Sequence, residues 1–112
     1  MQQNSLDALQ QQRRQMGKLY LEFLRQPSMS AGIYELAAGA IDEQQPHTED
    51  ELYYVIAGQA FILVGAEDLA VATGALVFVP AGVAHRFHDI TEDLSVLVFF
   101  APAEYSQGKD RE

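Results

Sequence analysis

The 112-residue sequence contains no cysteine and no tryptophan, and it has no lysine or arginine between residues 26 and 85. Without cysteine, the chain cannot form disulfides, cysteine-ligated zinc sites or iron–sulfur clusters, and thiol catalysis is excluded. A long stretch without a fixed cation binds a phosphate backbone or an anionic membrane surface poorly. With a formal net charge of −9 as well, we predict neither a nucleic-acid partner nor a membrane partner.

Long apolar runs are also missing from the sequence. No stretch approaches the roughly 20 residues of a membrane span, and the N-terminus, MQQNSLDALQQQRRQMG, lacks the apolar segment of a signal peptide. We therefore predict a cytoplasmic protein. Hydrophobic residues make up 48% of the chain and charged residues 21%, a composition typical of a single globular domain.

The chain changes character after Gly17. Residues 2–16 are rich in Gln, Ala, Leu and Arg, and Asn4 or Ser5 can cap a short helix there, either docked or frayed as an arm. The rest consists of short β-type runs, such as LYYVI, AFILV and LSVLVFFA, separated by Gly and Pro turns. Such runs at intervals of about ten residues predict an all-β fold, an antiparallel sandwich or barrel.

Two of the three histidines have neighbours that suggest metal chemistry. Gln45 precedes His47 by two residues and Glu51 follows it by four, while His85 lies on a later strand. Residues i and i+2 of extended backbone share a face, so Gln45 and His47 can converge. Two imidazoles, a carboxylate and an amide oxygen form a reasonable site for a first-row divalent metal.

These residues fall within two segments that resemble the signature motifs of the cupin superfamily. Residues 39–58 read GAIDEQQPHTEDELYYVIAG, which is similar to the first motif of Gly, five residues, His-x-His, three or four residues, Glu, six residues and Gly. Residues 74–89 read GALVFVPAGVAHRFHD, which is similar to the second motif of Gly, five residues, Pro-x-Gly, two residues, His, three residues and Asn. Two such motifs in order, with the short spacer of small bacterial cupins, form a specific resemblance.

The resemblance implies a double-stranded β-helix, or jelly-roll barrel, over residues 28–102. Residues 1–27 would then form an N-terminal arm and first strand, and residues 103–112 a flexible C-terminal tail. The ligand positions of the family fall on Gln45, His47, Glu51 and His85, which would hold one Mn, Fe, Ni or Zn ion. Gln45 stands where the family usually has a histidine and Asp89 where it usually has an asparagine, and a neutral amide is the weaker metal ligand.

The predicted cavity would lie beside these ligands. By strand alternation, Tyr53 and Val55 share the face of Glu51, and Phe87 shares that of His85. These three residues are predicted to line the pocket, with plain core packing as the alternative. Because the cation-free stretch contains every predicted ligand, we expect a small ligand that is neutral or chelates the metal.

The resemblance leaves more than one function open. Its members include dioxygenases, isomerases, decarboxylases and lyases, and in such an enzyme Glu51 could shuttle a proton if it is released from the metal. The alternative is a non-catalytic binding or sensing module with a structural or vestigial metal site. Small cupins are commonly homodimers, so a homodimer is predicted, with the apolar run 19–24 as a candidate contact and a monomer as the alternative.

Overall fold

The computed structural model describes residues 1–43 and 46–106 of the chain. Its strands pair in an antiparallel manner throughout, in the order β1-β2-β6-β3-β4, with β5 paired to β3. The elements are α1 (Leu6–Met16), β1 (Tyr20–Gln26), β2 (Met29–Leu36), β3 (Asp50–Val64), β4 (Glu67–Ala72), β5 (Leu76–Val79) and β6 (His85–Ala101). The predicted all-β, jelly-roll architecture with one short N-terminal helix is confirmed. None of the helices in these ranges is long and apolar enough to cross a membrane.

The N-terminal helix α1 is docked on the sheet rather than frayed. Ser5 caps its first turn by accepting a hydrogen bond from the Ala8 N–H, and Gly17 ends it in the left-handed conformation at φ +67°. Leu9 is only 6% exposed and packs against the buried residues Leu21 and Ile33. The burial of Leu9 and the 2.6 Å ion pair between Arg13 and Glu35 therefore anchor the helix to β1 and β2.

The two long strands β3 and β6 form the centre of the sheet. β3 pairs with β6 along nearly its whole length, while its first half also pairs with β5 and its second half with β4. The β3–β6 register is interrupted between Val55 and Phe61, where Gly58 adopts φ +106°. Such irregularities bend and twist a strand pair, which lets one pair contribute to both ends of a barrel.

The core follows strand alternation. Glu51, Tyr53 and Val55 of β3 are buried, while the intervening Leu52 and Tyr54 are more than one-third exposed. A period of two is what a strand with one face on the core requires. The inward face of β3 thus begins with a carboxylate, Glu51, and continues with apolar side chains.

Candidate metal centre

Three polar side chains from separate parts of the chain converge in the barrel. Glu51 lies in β3 between its partners Val79 of β5 and Phe100 of β6, and His85 is the first residue of β6. His47 lies in the segment that leads into β3. The turn between β5 and β6 is tied to that segment, because the Gly82 N–H donates a 2.7 Å hydrogen bond to the His47 carbonyl.

The three side chains form a compact, buried set. One ligand atom from each of His47, Glu51 and His85 lies within 4.8 Å of the other two. Glu51 Oε1 is 3.1 Å from His85 Nε2 and 3.5 Å from His47 Nδ1. The residues are 7%, 2% and 5% exposed in chain order, so water screens their charges little.

The inward atoms of this cluster make no hydrogen bond of normal geometry within the described parts of the chain, although His85 Nε2 and Glu51 Oε1 lie 3.1 Å apart. This holds for His47 Nδ1, His85 Nε2 and both carboxylate oxygens of Glu51. A buried polar atom without a partner costs about 1–3 kcal/mol, and more when it is charged. Four such atoms that face one another form a candidate cation-binding site, because a bound cation would satisfy all of them.

Outer contacts set the protonation of both imidazoles. His85 Nδ1 is 2.9 Å from the Val83 carbonyl, and His47 Nε2 is 3.0 Å from Glu104 Oε2. Both partners can only accept, so these two nitrogens carry the protons. When both imidazoles are neutral, His47 Nδ1 and His85 Nε2 therefore carry lone pairs, and both nitrogens face Glu51. This is how outer partners orient histidines that bind metals.

The electrostatics of the cluster favour positive charge. Burial lowers the pKa of His85, but the Glu51 carboxylate and the Val83 carbonyl raise it by more, so the pKa lies above the ordinary 6.5. A carboxylate that favours the cationic form of His85 also favours a divalent ion beside it. Two imidazole nitrogens and one carboxylate match the preference of Mn, Fe, Ni and Zn for mixed nitrogen and oxygen ligands.

A cavity of about 420 Å³ opens beside the cluster. Glu43, Glu51 and Glu104 contribute carboxylates to its wall, and no lysine or arginine of the described residues lines it. The electrostatic character predicted from the cation-free stretch therefore extends to the cavity wall. The lining residues are Tyr20, Tyr34, Glu43, His47, Glu51, Val98, Phe100, Glu104 and Tyr105.

The residues predicted to line the pocket lie in the core beside the cluster. Tyr53, Val55 and Phe87 are at most 1% exposed and are absent from the cavity wall. Alternation places Tyr53 and Val55 on the face of Glu51, but they lie farther along β3, where that face is closed by core packing. The Tyr53 ring still lies 6.0 Å from the His85 ring, centre to centre, so it packs against the cluster.

Gln45, the fourth predicted ligand, lies outside the described residues. The third histidine, His88, is not part of the cluster. Its two ring nitrogens lie 2.7 Å from carboxylate oxygens of Asp68 and Asp89, toward solvent.

Two site residues missed in the sequence come from residues 103–112, which were assigned to a flexible tail. Glu104 contacts His47, and the Tyr105 ring stacks on the His47 ring with centres 5.4 Å apart. Their backbone N–H groups donate 2.8 Å hydrogen bonds to Ser30 Oγ and Glu49 Oε1, respectively. These bonds hold the start of the segment against the barrel, which is why it contributes to the cavity. No periodicity or spacing in the sequence marked it.

Fold and site together define a small β-barrel protein with a buried His/Glu cluster suited to a divalent metal. The model of the cupin domain family matches residues 32–100. The chain belongs to the cupin domain family.

Three relatives illustrate the range of similarity. The uncharacterized protein SCO3923 of Streptomyces coelicolor is 54% identical over 99 residues, which cover 88% of this chain and 94% of that protein. An acireductone dioxygenase of Tuber melanosporum is 32% identical over 66 residues, covering 54% of this chain and 38% of that enzyme. The crystal structure of TT1209 from Thermus thermophilus aligns with a TM-score of 0.74 at 24% identity, over 92% of this chain and 99% of that one.

Proposed function

We propose that this cupin binds one divalent transition metal ion through His47, Glu51 and His85. The single observation that carries the proposal is the set of four buried, unpartnered donor atoms that face one another within this cluster. The ion would be Mn, Fe, Ni or Zn, the metals that accept this ligand set. Gln45 remains the candidate for a fourth ligand.

We further propose that the chain is a metal-dependent enzyme of the dioxygenase, isomerase, decarboxylase or lyase type. A bound metal would supply Lewis-acid or oxygen chemistry. His47 and His85 are held in fixed tautomers, Glu51 provides the negative charge and a proton-accepting oxygen, and the cavity admits a small molecule. The similarity to an acireductone dioxygenase supports this class, and that enzyme is matched over little more than a third of its length.

The cavity wall constrains the substrate that we propose. Glu43, Glu51 and Glu104 would repel an anion, and the described wall has no guanidinium or ammonium group to bind one. Tyr20, Tyr34, Tyr105 and Phe100 give it an aromatic surface. A small, oxygenated substrate that is neutral or chelates the metal fits these features.

An open coordination position separates catalysis from a structural site. Protein with one equivalent of bound Mn(II) should relax water protons faster than an equal concentration of a Mn(II) chelate whose coordination sphere is closed, because a catalytic site keeps a position for exchangeable water. Proton relaxation measured over a range of magnetic fields checks this. Metal-bound protein without an exchangeable water would contradict the proposed enzyme.

A non-catalytic binding module is the alternative proposal. The observation in its favour is that the Tyr105 ring and the Glu104 carboxylate cover His47 from the cavity side. These contacts would suit a structural metal site without an open coordination position. The relaxation experiment distinguishes the two, because a closed site gives no contribution from bound water.

Glu104 should strengthen metal binding although it is not a predicted ligand. Its carboxylate accepts the Nε2 proton of His47 and so directs Nδ1 to the cluster. Loss of an outer partner of this type typically weakens metal affinity about 10–100-fold. We expect that loss for Glu104→Ala and a smaller one for Glu104→Gln, whose amide oxygen still accepts the proton. Competition with a chromophoric zinc chelator measures both, and equal affinity in Glu104→Ala and the wild type would contradict the assigned role.

The homodimer and the cytoplasmic location stay predictions from the sequence. Within the run 19–24 that was predicted to contact a partner, Leu19 is 58% exposed but Leu21 is buried against the helix.

A further inference from the structure

Tyr20 places a polar atom without a partner in the cavity. It is the first residue of β1 and lines the cavity wall. Its hydroxyl is buried and finds no hydrogen-bond partner among residues 1–43 and 46–106. An unpartnered hydroxyl in a protein interior costs about 1–3 kcal/mol, so its position calls for an explanation.

The fold accommodates this ring through a glycine. Gly32 is in β2 opposite Glu22, close to the pair formed by Tyr20 and Tyr34. A Cβ atom at position 32 would overlap Cζ and the hydroxyl of Tyr20. Because Gly32 has no side chain, the end of the Tyr20 ring occupies the space beside it. The Tyr34 ring packs edge to face against the Tyr20 ring, with the ring centres 6.3 Å apart.

The hydroxyls of the other two tyrosines in the wall have protein contacts. Tyr34 donates a 2.6 Å hydrogen bond to Asp42 Oδ1, and the Tyr105 hydroxyl is 3.4 Å from His47 Nε2. Among the described residues, no lysine or arginine lines the cavity. Its remaining charged groups are carboxylates, which accept hydrogen bonds. Among the described residues, Tyr20 is the tyrosine whose buried hydroxyl has no hydrogen-bond partner.

The Tyr20 hydroxyl keeps its proton throughout the physiological range. Burial is the main cause that raises its pKa far above the ordinary 10, and the negative charges of Glu104, Glu22 and Glu51 raise it further. A phenol in this environment acts as a hydrogen-bond donor rather than as a base. Its effect on a ligand is therefore to bind and orient an acceptor atom.

We propose that the Tyr20 hydroxyl donates a hydrogen bond to an oxygen atom of the small molecule that binds in this cavity. The ligand class is one with a carbonyl, hydroxyl or enolate oxygen close to the atoms that chelate the metal. This inference rests on the proposed metal-binding function and adds a specificity-determining residue to it. A site that provides a hydrogen-bond donor for one ligand oxygen discriminates strongly against analogues that lack it.

Two probes separate this contact from metal ligation. Acetohydroxamate chelates a metal through two oxygens and offers acceptor oxygens to the wall, whereas imidazole binds a metal through nitrogen and offers no oxygen. Isothermal titration of zinc-loaded protein gives both affinities. Tyr20→Phe removes only the hydroxyl, and Tyr54→Phe is the matched control because Tyr54 lies on the outer face of β3, 37% exposed.

We expect Tyr20→Phe to bind acetohydroxamate about tenfold more weakly than the wild type, the size of one lost hydrogen bond. Imidazole affinity and zinc content should be unchanged, and Tyr54→Phe should match the wild type in all three measurements. A second variant, Gly32→Ala, should show the same selective loss because the new methyl group displaces the Tyr20 ring.

Three results would overturn the inference. Equal acetohydroxamate affinity in Tyr20→Phe and the wild type would show that the hydroxyl does not contact the ligand. A parallel loss for both probes or of zinc would show that Tyr20 acts through the metal cluster or the fold. Zinc-loaded wild type that fails to bind acetohydroxamate would contradict the ligand class, while the retained zinc would leave the proposed metal site standing. Loss of zinc by the wild type would instead contradict the proposed function itself.

Discussion

His85→Ala should purify with almost no bound metal and bind zinc at least about 100-fold more weakly than the wild type. The substitution removes one of the three proposed protein ligands, and even outer partners of metal ligands contribute about 10–100-fold. It also leaves Glu51, 2% exposed, without its closest cationic or metal-binding neighbour. Elemental analysis of protein purified without a histidine tag measures the metal content, and competition with a chelator measures the zinc affinity.

His88→Ala is the matched control, since it also removes one histidine from β6. His88 is bound to Asp68 and Asp89 on the solvent side and is absent from the cluster. Its loss should leave the metal content at the wild-type value. Equal metal retention by His85→Ala and the wild type would contradict the site, and equal loss in both variants would point to general destabilisation.

Gly58→Ala should reduce the free energy of unfolding by about 3 kcal/mol. Two independent costs add at this position, which has φ +106°. An L-residue in a left-handed conformation costs about 1–2 kcal/mol, and a Cβ here would overlap the Asp93 carbonyl oxygen and lie 2.8 Å from Cα of Leu94. Both neighbours are backbone atoms of β6, so they cannot rotate away. Thermal unfolding should shift downward by roughly 15 °C.

Gly74→Ala isolates the first of these costs. Gly74 has a similar φ of +93°, but a Cβ there meets nothing within 4 Å. We expect a loss of about 1 kcal/mol, or roughly 5 °C in the unfolding temperature. Calorimetry of both variants tests the comparison. Equal destabilisation would mean that the close approach of β3 and β6 at Gly58 does not contribute.

The motif spacing was enough to predict three members of the cluster. His47, Glu51 and His85 come from separate parts of the chain, yet the two signature segments fix their order and distance along it. The short β-type runs separated by Gly and Pro turns likewise predicted an all-β fold. Whether the N-terminal segment docks depended on tertiary contacts, among them the burial of Leu9 and the Arg13–Glu35 ion pair, which a weak apolar stripe leaves open.

The outer part of the site could not be read from the sequence, for a physical reason. Glu104 lies 57 residues after His47, in a polar segment with no periodicity. Its role depends on a hydrogen bond from its own backbone to Ser30, which only the folded chain brings close. Tyr20 belongs to an apolar run, and its placement depends on the absent side chain of Gly32 on the neighbouring strand.

The residues that line the cavity could not be predicted from strand alternation either. Alternation gives the face on which Tyr53 lies, but it does not say how far along a strand the interior changes from open cavity to packed core. That boundary depends on which side chains arrive from β1, β2 and the C-terminal segment. The absence of lysine and arginine from the part of the wall that residues 26–85 contribute follows directly from the sequence.

The central claim is that His47, Glu51 and His85 hold one metal ion. Anomalous diffraction from crystals of protein purified without a histidine tag, recorded on both sides of the absorption edge of the metal identified by elemental analysis, tests it most directly. We expect one anomalous peak per chain, about 2.0–2.2 Å from an oxygen of Glu51 and a nitrogen of each histidine. Anomalous peaks only at other positions, or no peak beside Glu51 and His85 in protein that carries metal by elemental analysis, would contradict it.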